Sequence, residues 1–329
     1  MELRTPSRVV ESEICTASGK SQNLSIIVPC FNASGTLAAA IESGLQQGLS
    51  VPEIVVSDDG SNDGSLEAVR RLESRVRVLS GPNRGVSAAR NWGIDESAGE
   101  WLIFLDADDQ LLPGTVEKRL KAAAENPQAD VVACGWQELI DDWGGTTPGA
   151  VRAIDRAAME ADAEVATATH AWAPPAALMY RRSLVERIGG FRLDLPVIQD
   201  ARFLFDAAYH GARFAFSDHV GALYRIQPGS LSRRNPARFW KDILLNGTQI
   251  EALWRARGPL SAKQRDALAG IYNHAARGLF AAESPHYFDA IKRQLALGGP
   301  LPRHSRIVPP VARALGLRSA RRLFAMVGR

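Results

Sequence analysis

An open α/β sheet is the fold class that this 329-residue sequence predicts, on three observations. Short β-branched runs alternate with segments of helical apolar spacing at a period of about thirty residues. One run, Trp101-Leu102-Ile103-Phe104-Leu105, is apolar on both faces, as a covered parallel strand must be. Acid-rich polar turns close the runs, at the edge where ligands bind in such sheets.

Each element follows from the order of residues. Positions 1–22 are polar and without period, which predicts a loose leader with no apolar stretch long enough for a secretory signal. Ser25-Ile26-Ile27-Val28-Pro29 is a β-branched run closed by proline and predicts the first strand. Thr36 is placed to cap a helix carrying Leu37, Ile41 and Leu45 at four-residue spacing. Glu53 to Val56 predicts the second strand, ended by the turn Ser57-Asp58-Asp59-Gly60-Ser61. Leu66, Val69 and Leu72 predict a helix, Val76 to Leu79 a strand, and 86–97 a further helix. After the strand at Trp101 come a helix over 114–125 and a strand over 131–134. Beyond about residue 140 the period weakens, and from 236 the pattern is helical, with Trp240, Leu244, Leu245, Leu253 and Trp254.

Composition bounds the function. With 46% apolar and 23% charged residues, collagen-like, mucin-like and disordered chains are excluded. No run of 18 apolar residues lacks a charge, so no transmembrane helix is expected. Three cysteines, Cys15, Cys30 and Cys134, are few, odd in number and widely spaced, which suits a reducing cytoplasmic compartment and excludes a disulfide framework or a paired-cysteine zinc site. Charge is uneven. Residues 226–329 hold 18 Lys and Arg against 5 Asp and Glu, whereas 1–225 hold 21 against 31.

The chemistry concentrates in WLIFLDADDQL. Three carboxylates within four residues at the exit of a buried strand repel one another unless a cation sits among them, and oxygen ligands of this kind suit Mg²⁺ or Mn²⁺. A solvated acidic turn is the alternative. Neither a phosphate-binding Walker loop nor a zinc-protease motif is present.

SIIVPCFN, EIVVSDDGSNDGS and PNRGVSAARNWGIDESAGEWLIFLDADDQL follow in order, and together they resemble the family 2 glycosyltransferases. The resemblance spans about residues 24–232 and implies the GT-A nucleotide-sugar fold and an inverting transfer. It divides the chain into the leader, a glycosyltransferase domain over 23–232 (a nucleotide half over 24–110, an acceptor half over 111–232) and a basic helical extension over 233–329. By this likeness Pro29, Cys30, Phe31 and Asn32 pass along the nucleotide base and ribose, and Asp59, or its neighbour Asp58, accepts from a uracil ring. Gly85 and Arg90 resemble residues beside the nucleotide. Asp106 and Ala107 open the DxD motif near the ribose, Asp108 resembles the metal-binding acid, and Asp109 is placed to share the metal or orient its waters. Asn32, Asp59 and Gly60 equally suit turn and capping roles.

Further along, VIQDARFLFDAAYHG matches an acidic pair whose second member, Asp200, resembles the general base; Gln199 stands where the family often has Glu. The competing reading makes Asp200 a helix cap. YRIQPGSLSR resembles the stretch that closes over the diphosphate, with Arg225, Ser230 and Arg233 as phosphate contacts and Gln227, where histidine is usual, as a weaker metal ligand. Trp172 reads as core rather than as a sugar-stacking ring.

The resemblance therefore implies a metal-dependent transferase using Mn²⁺ or Mg²⁺ and a nucleotide-sugar donor, a UDP-sugar, with a glycan or lipid-linked acceptor of surface polysaccharide synthesis. The alternative is a non-catalytic sugar-nucleotide-binding scaffold. The tail, 301–329, holds seven arginines and no acid. On a helical wheel Arg313, Arg318, Arg321 and Arg322 share one half and Leu315, Leu323, Met326 and Val327 the other, with Val311 and Leu317 off the pattern. That suits peripheral contact with an anionic membrane, or else packing on the body; nucleic acid is disfavoured because no aromatics interleave the basic residues. Removing 303–329 is expected to leave the body folded, since its predicted sheet ends earlier.

Overall fold

The computed structural model describes residues 24–47, 53–70, 76–142, 145–227, 229–298 and 303–326. The predicted leader, Cys15, Val327 and the Met326 side chain lie outside the described residues.

In chain order the strands and helices begin β1 (Leu24–Cys30), α1 (Leu37–Leu45), β2 (Glu53–Asp58), α2 (Ser65–Arg70), β3 (Arg77–Ser80), α3 (Val86–Asp95), β4 (Trp101–Phe104), β5 (Gln110–Leu111) and α4 (Thr115–Glu125). There follow β6 (Val131–Asp142), β7 (Gly145–Arg152), α5 (Arg156–Thr169), β8 (Leu178–Arg181), α6 (Arg182–Ile188), α7 (Gln199–Tyr209) and β9 (Phe214–Ile226). The rest is helical: α8 (Leu231–Arg234), α9 (Pro236–Ala256), α10 (Ala262–Ala281), α11 (Tyr287–Ala296), α12 (Arg303–Leu315) and α13 (Leu317–Met326). Thr36 does not cap α1 through its side chain; its hydroxyl turns back to Ala33 O at 3.5 Å.

The chain forms two compact units that interleave in sequence, the first holding residues up to Gln137, Pro175–Glu186 and Arg213–Tyr224. β8 and β9 return to the sheet of the first unit, so the chain passes between units several times.

In the first unit β3, β2, β1 and β4 lie side by side and parallel, and β8 and then β6 continue the sheet antiparallel. Ile26, Ile27, Val28, Val55, Val56, Leu102, Ile103 and Phe104 are all buried, which accounts for runs that do not alternate in polarity. Helix α3 lies close on this sheet because it carries Gly93: a Cβ there would stand 2.4 Å from Ile27 Cγ2. All four parallel strands end at one edge, where the turns after them gather.

The second unit holds β7, paired with the outgoing end of β6, together with α5, α7 and the helices from α8 onward. Asn235 caps α9 by accepting from Arg238 N at 3.0 Å, with Pro236 at the first helical position. Ser261 and Gln264 form a reciprocal capping box on α10. Trp240 of α9 lies against Gly278 of α10, where any Cβ would overlap the indole at 2.0 Å. Trp254, Leu268, Tyr272, Leu279, Tyr287 and Ile291 form the centre of this helical core.

Candidate active site

In the first unit the loops after β1 and β2 are sewn together by side chains. Asn32, at φ 51°, donates its backbone N–H to Ser61 Oγ at 2.9 Å and accepts from Asn62 N at 2.9 Å. Ala33 N donates to Ser65 Oγ at 2.8 Å and Ser34 N to Asp63 Oδ2 at 2.9 Å. Asp63 also accepts from the Ser65 hydroxyl and, at 3.0 Å, from Ser65 N; the hydroxyl first and then the backbone N–H groups hold its carboxyl down at about 2. Cys30 is buried within this loop, and burial pushes its thiol up, whereas Phe31 is exposed. Pro29 lies near the end of β1, beside Ser57 of β2.

The two acids after β2 have different tasks. Asp58 Oδ1 accepts from Ser61 N at 3.2 Å and Oδ2 from Ser80 Oγ at 2.9 Å, tying β2 to its turn and to β3. Asp59 clamps the backbone ahead of α3, accepting from Arg84 N at 2.6 Å and Gly85 N at 2.8 Å. Gly85 sits there at φ 94°, a conformation that costs an L residue with a Cβ. Both carboxylates are buried and shape the edge on which a ligand would rest.

After β4 the acidic run turns tightly, with Asp109 N donating to Asp106 O at 3.0 Å. Arg90, buried on α3, forms an ion pair with Asp106 Oδ1. The cation that these carboxylates required is thus in part a guanidinium from the chain itself. Ala107 is buried and Asp109 is 1% exposed, while Asp106 and Asp108 are half-buried. No three His, Cys, Asp or Glu side chains among the described residues converge as a ready-made metal cluster. The donor set still fits a hard dication: Mg²⁺ and Mn²⁺ accept one or two carboxylates when substrate phosphates complete the shell, and Asp108 offers such oxygens at the strand end.

The other predicted residues belong to the second unit. Asp200 is half-buried in the first turn of α7. Ile198 holds the cap position, so the helix-cap role considered for Asp200 is not the one it has. Its Oδ2 accepts from Trp172 Nε1 at 3.1 Å. The indole therefore reaches a polar partner, beyond the core role read from sequence, and at a separation of 28 positions the sequence carries no signal of it. Gln199 is 5% exposed, and its side-chain carbonyl has no hydrogen-bond partner among the described residues. Behind them Arg202 is bound to Asp206 at 2.8 Å and Gln249 at 2.5 Å, and Phe203 stacks on Phe191 with centroids 4.0 Å apart.

Arg225 is held by Asp141, at 2.8 and 3.0 Å to the two carboxylate oxygens, and by Thr146. The Thr146 hydroxyl and then the guanidinium keep the Asp141 carboxyl below its usual range. Arg225 thus braces the β6–β7 hairpin, a structural role that the phosphate reading did not include. Ser230 precedes α8 without a side-chain cap bond, its N donating to Gln227 O at 3.1 Å, and Arg233 is exposed.

Comparison with known proteins gives this arrangement a family. The model for "Glycosyl transferase family 2" matches residues 25–189. EpsJ of Bacillus subtilis, described as an uncharacterized glycosyltransferase, is 32% identical over 220 residues, covering 64% of this chain and 62% of its own. The succinoglycan biosynthesis protein ExoO of Rhizobium meliloti is 28% identical over 239 residues, covering 66% of this chain and 64% of its own. The chain thus spans under two thirds of the length of these curated relatives. Among solved structures, the mannosyltransferase PcManGT of Pyrobaculum calidifontis, in complex with GDP-Man and Mn²⁺, superposes with a TM-score of 0.57 at 19% identity, covering 92% of this chain and 83% of its own. S. aureus TarS 1-349 in complex with UDP-GlcNAc gives 0.56 at 17%, covering 84% and 89%. These structures share the GT-A fold. With its parallel sheet, its acidic strand-end turn and this match over half its length, the chain belongs to the family 2 glycosyltransferases.

Proposed function

We propose that this protein transfers a sugar, with inversion, from a nucleotide diphosphate donor, a UDP-sugar, to a hydroxyl of a glycan or lipid-linked acceptor in surface polysaccharide synthesis. The observation that carries the reading is the acidic turn Asp106–Asp109 at the carboxyl end of β4, flanked in the parallel sheet by the turns after β1 and β2. A nucleoside fits an edge whose backbone is fixed by Asp58, Asp59 and Asn32, with Cys30, Phe31, Gly85 and Arg90 around it. Mn²⁺ or Mg²⁺ held by Asp108, with Asp109 in support, would offset charge on the departing diphosphate.

The steps left to the protein concern the acceptor. Asp200 accepts the proton of the attacking hydroxyl, whose oxygen bonds to the anomeric carbon as the bond to the diphosphate breaks on the opposite face. Ser230 and Arg233 contact the diphosphate. The protein works in the cytoplasm, and its basic C-terminal helices rest on an anionic membrane face. No helix among the described residues is long and apolar enough to cross that membrane.

Thermal shift against UDP-glucose, UDP-galactose, UDP-GlcNAc and GDP-mannose, each with Mn²⁺, tests the donor class. Mass spectrometry and anomeric proton coupling in the product test transfer and inversion. No stabilisation by any nucleotide sugar, or a product with retained configuration, overturns the reading.

A further inference from the structure

We infer that Trp172 is a positioning residue for the proton-accepting carboxylate, an inference that rests on Asp200 being the general base. The observation is one hydrogen bond: Trp172 Nε1 donates to Asp200 Oδ2 at 3.1 Å, with both residues half-buried. An indole N–H can only donate and does not titrate in the working range of an enzyme. Bound to it, Oδ2 is held as an acceptor, and rotation of the carboxylate is restrained. A donor to the charged form favours the carboxylate over the acid.

The surroundings make the indole a firm support. Ala171 and Ala173 on either side are each 2% exposed, Trp172 N donates to His170 O at 3.0 Å, and Pro174 follows with its φ locked. Asp200 is set on the first turn of α7, where the helix dipole favours a negative charge. The helix is anchored by the buried Phe203 and by Arg202. Its neighbour Gln199 is neutral, so no second carboxylate in the pair competes for the proton. Trp172 and the helix dipole therefore act on a single acid, and the indole sets both its direction and the pH at which it becomes a base.

Nitrogen-15 NMR of the full chain with labelled tryptophan tests this without a known substrate. Trp172→Phe identifies the Trp172 indole signal among those of the seven tryptophans. That signal is expected to move with pH as one carboxyl titrates and to lose the movement in Asp200→Asn. A Trp172 signal indifferent to pH, or still titrating in Asp200→Asn, overturns the inference. The second arm is donor turnover against pH, with the nucleotide sugar that gives the strongest thermal shift. In Trp172→Phe the acidic limb of kcat should move up by about one pH unit, since losing a hydrogen bond to a charged group costs roughly that much. KM for the donor should stay unchanged. Trp172→His, which keeps a ring N–H, should restore part of the shift; a merely structural loss would lower kcat at every pH alike, and that result also overturns the inference. Asp200→Asn separates the two levels. Full turnover in Asp200→Asn removes the base assignment itself, whereas an inactive Asp200→Asn beside a Trp172→Phe with the wild-type pH profile removes only the role of the indole.

Discussion

The pairing of Arg90 with Asp106 changes what each acid after β4 is expected to do. A buried guanidinium on a carboxylate fixes its position and removes most of its charge from the count. On the proposed function, Asp108, the next acid in the motif and half-buried, is the carboxylate that would hold the metal. Asp108→Asn should therefore abolish the Mn²⁺-dependent part of UDP binding while melting as the wild type does, because neutralising one of several crowded carboxylates relieves repulsion. A carboxylate ligand to a dication is worth at least tenfold in affinity, about 1.4 kcal/mol or more. Calorimetry with UDP, with and without Mn²⁺, reads this directly, and an unchanged metal dependence in the variant would remove Asp108 from the metal site. Sequence gave the type and place of this cluster but not its internal division of labour. The Arg90–Asp106 contact joins residues 16 apart on a helix and a strand end, and only the packing of α3 against the sheet, made close by Gly93, brings them together.

At the scale of elements, the regular strands and helices were legible because burial on both faces leaves uninterrupted apolar runs. The loops were legible only as turn chemistry. EIVVSDDGSNDGS announces a turn, yet nothing in it says that Asp63, rather than Asp58 or Asp59, sews this loop to the one after β1. Likewise β6 runs to Asp142, past its predicted end at 134, and β9 has no counterpart among the predicted strands, since partly exposed strands carry polar residues that hide the period. Asp63 yields a pH prediction. Its carboxyl lies at about 2 in the folded chain against an ordinary value of 3.8, so its contribution is fully present above pH 3.8 and is lost as pH falls toward 2. Because the side chain is exposed, the expected contribution is small, about 1 kcal/mol, the ordinary worth of a side chain bonded to backbone N–H groups at a helix start. Asp63→Asn should lower the urea midpoint at pH 6 and narrow its gap to the wild type as pH approaches 2. A constant gap across that window would mean that Asp63 does not stitch the loops through its charged form.

At the scale of the whole chain, the C-terminal residues overturn one expectation drawn from sequence. The wheel put Leu315 and Leu323 on the apolar half, and these are 52% and 40% exposed, while the residues that enter the helical core of the second unit are Val308, Ala312 and Ala320. A single wheel failed because the segment is two helices, α12 and α13, with Gly316 at φ 77° between them. Arg318 and Arg321 both bind Glu283, which anchors α13 further. Removing 303–329 should thus destabilise the second unit rather than leave it intact. Burying one valine and two alanines and covering the rings beneath is worth about 2–4 kcal/mol, or a fall of roughly 5–10 °C in melting temperature. Truncation cannot then test membrane contact cleanly, but the exposed arginines can. Arg306 and Arg322 lie on the solvent side beside the exposed Ile307 and Leu323, so Arg306→Gln with Arg322→Gln should leave the melt unchanged. The same double variant should weaken co-sedimentation with phosphatidylserine vesicles by roughly 30-fold, at about 1 kcal/mol for each basic residue at an anionic surface. Binding of that origin must also fade as salt rises, because the screening length falls from about 10 Å at 0.1 M to about 3 Å at 1 M. Equal sedimentation of variant and wild type at low salt would leave these helices as packing elements of the second unit and nothing more.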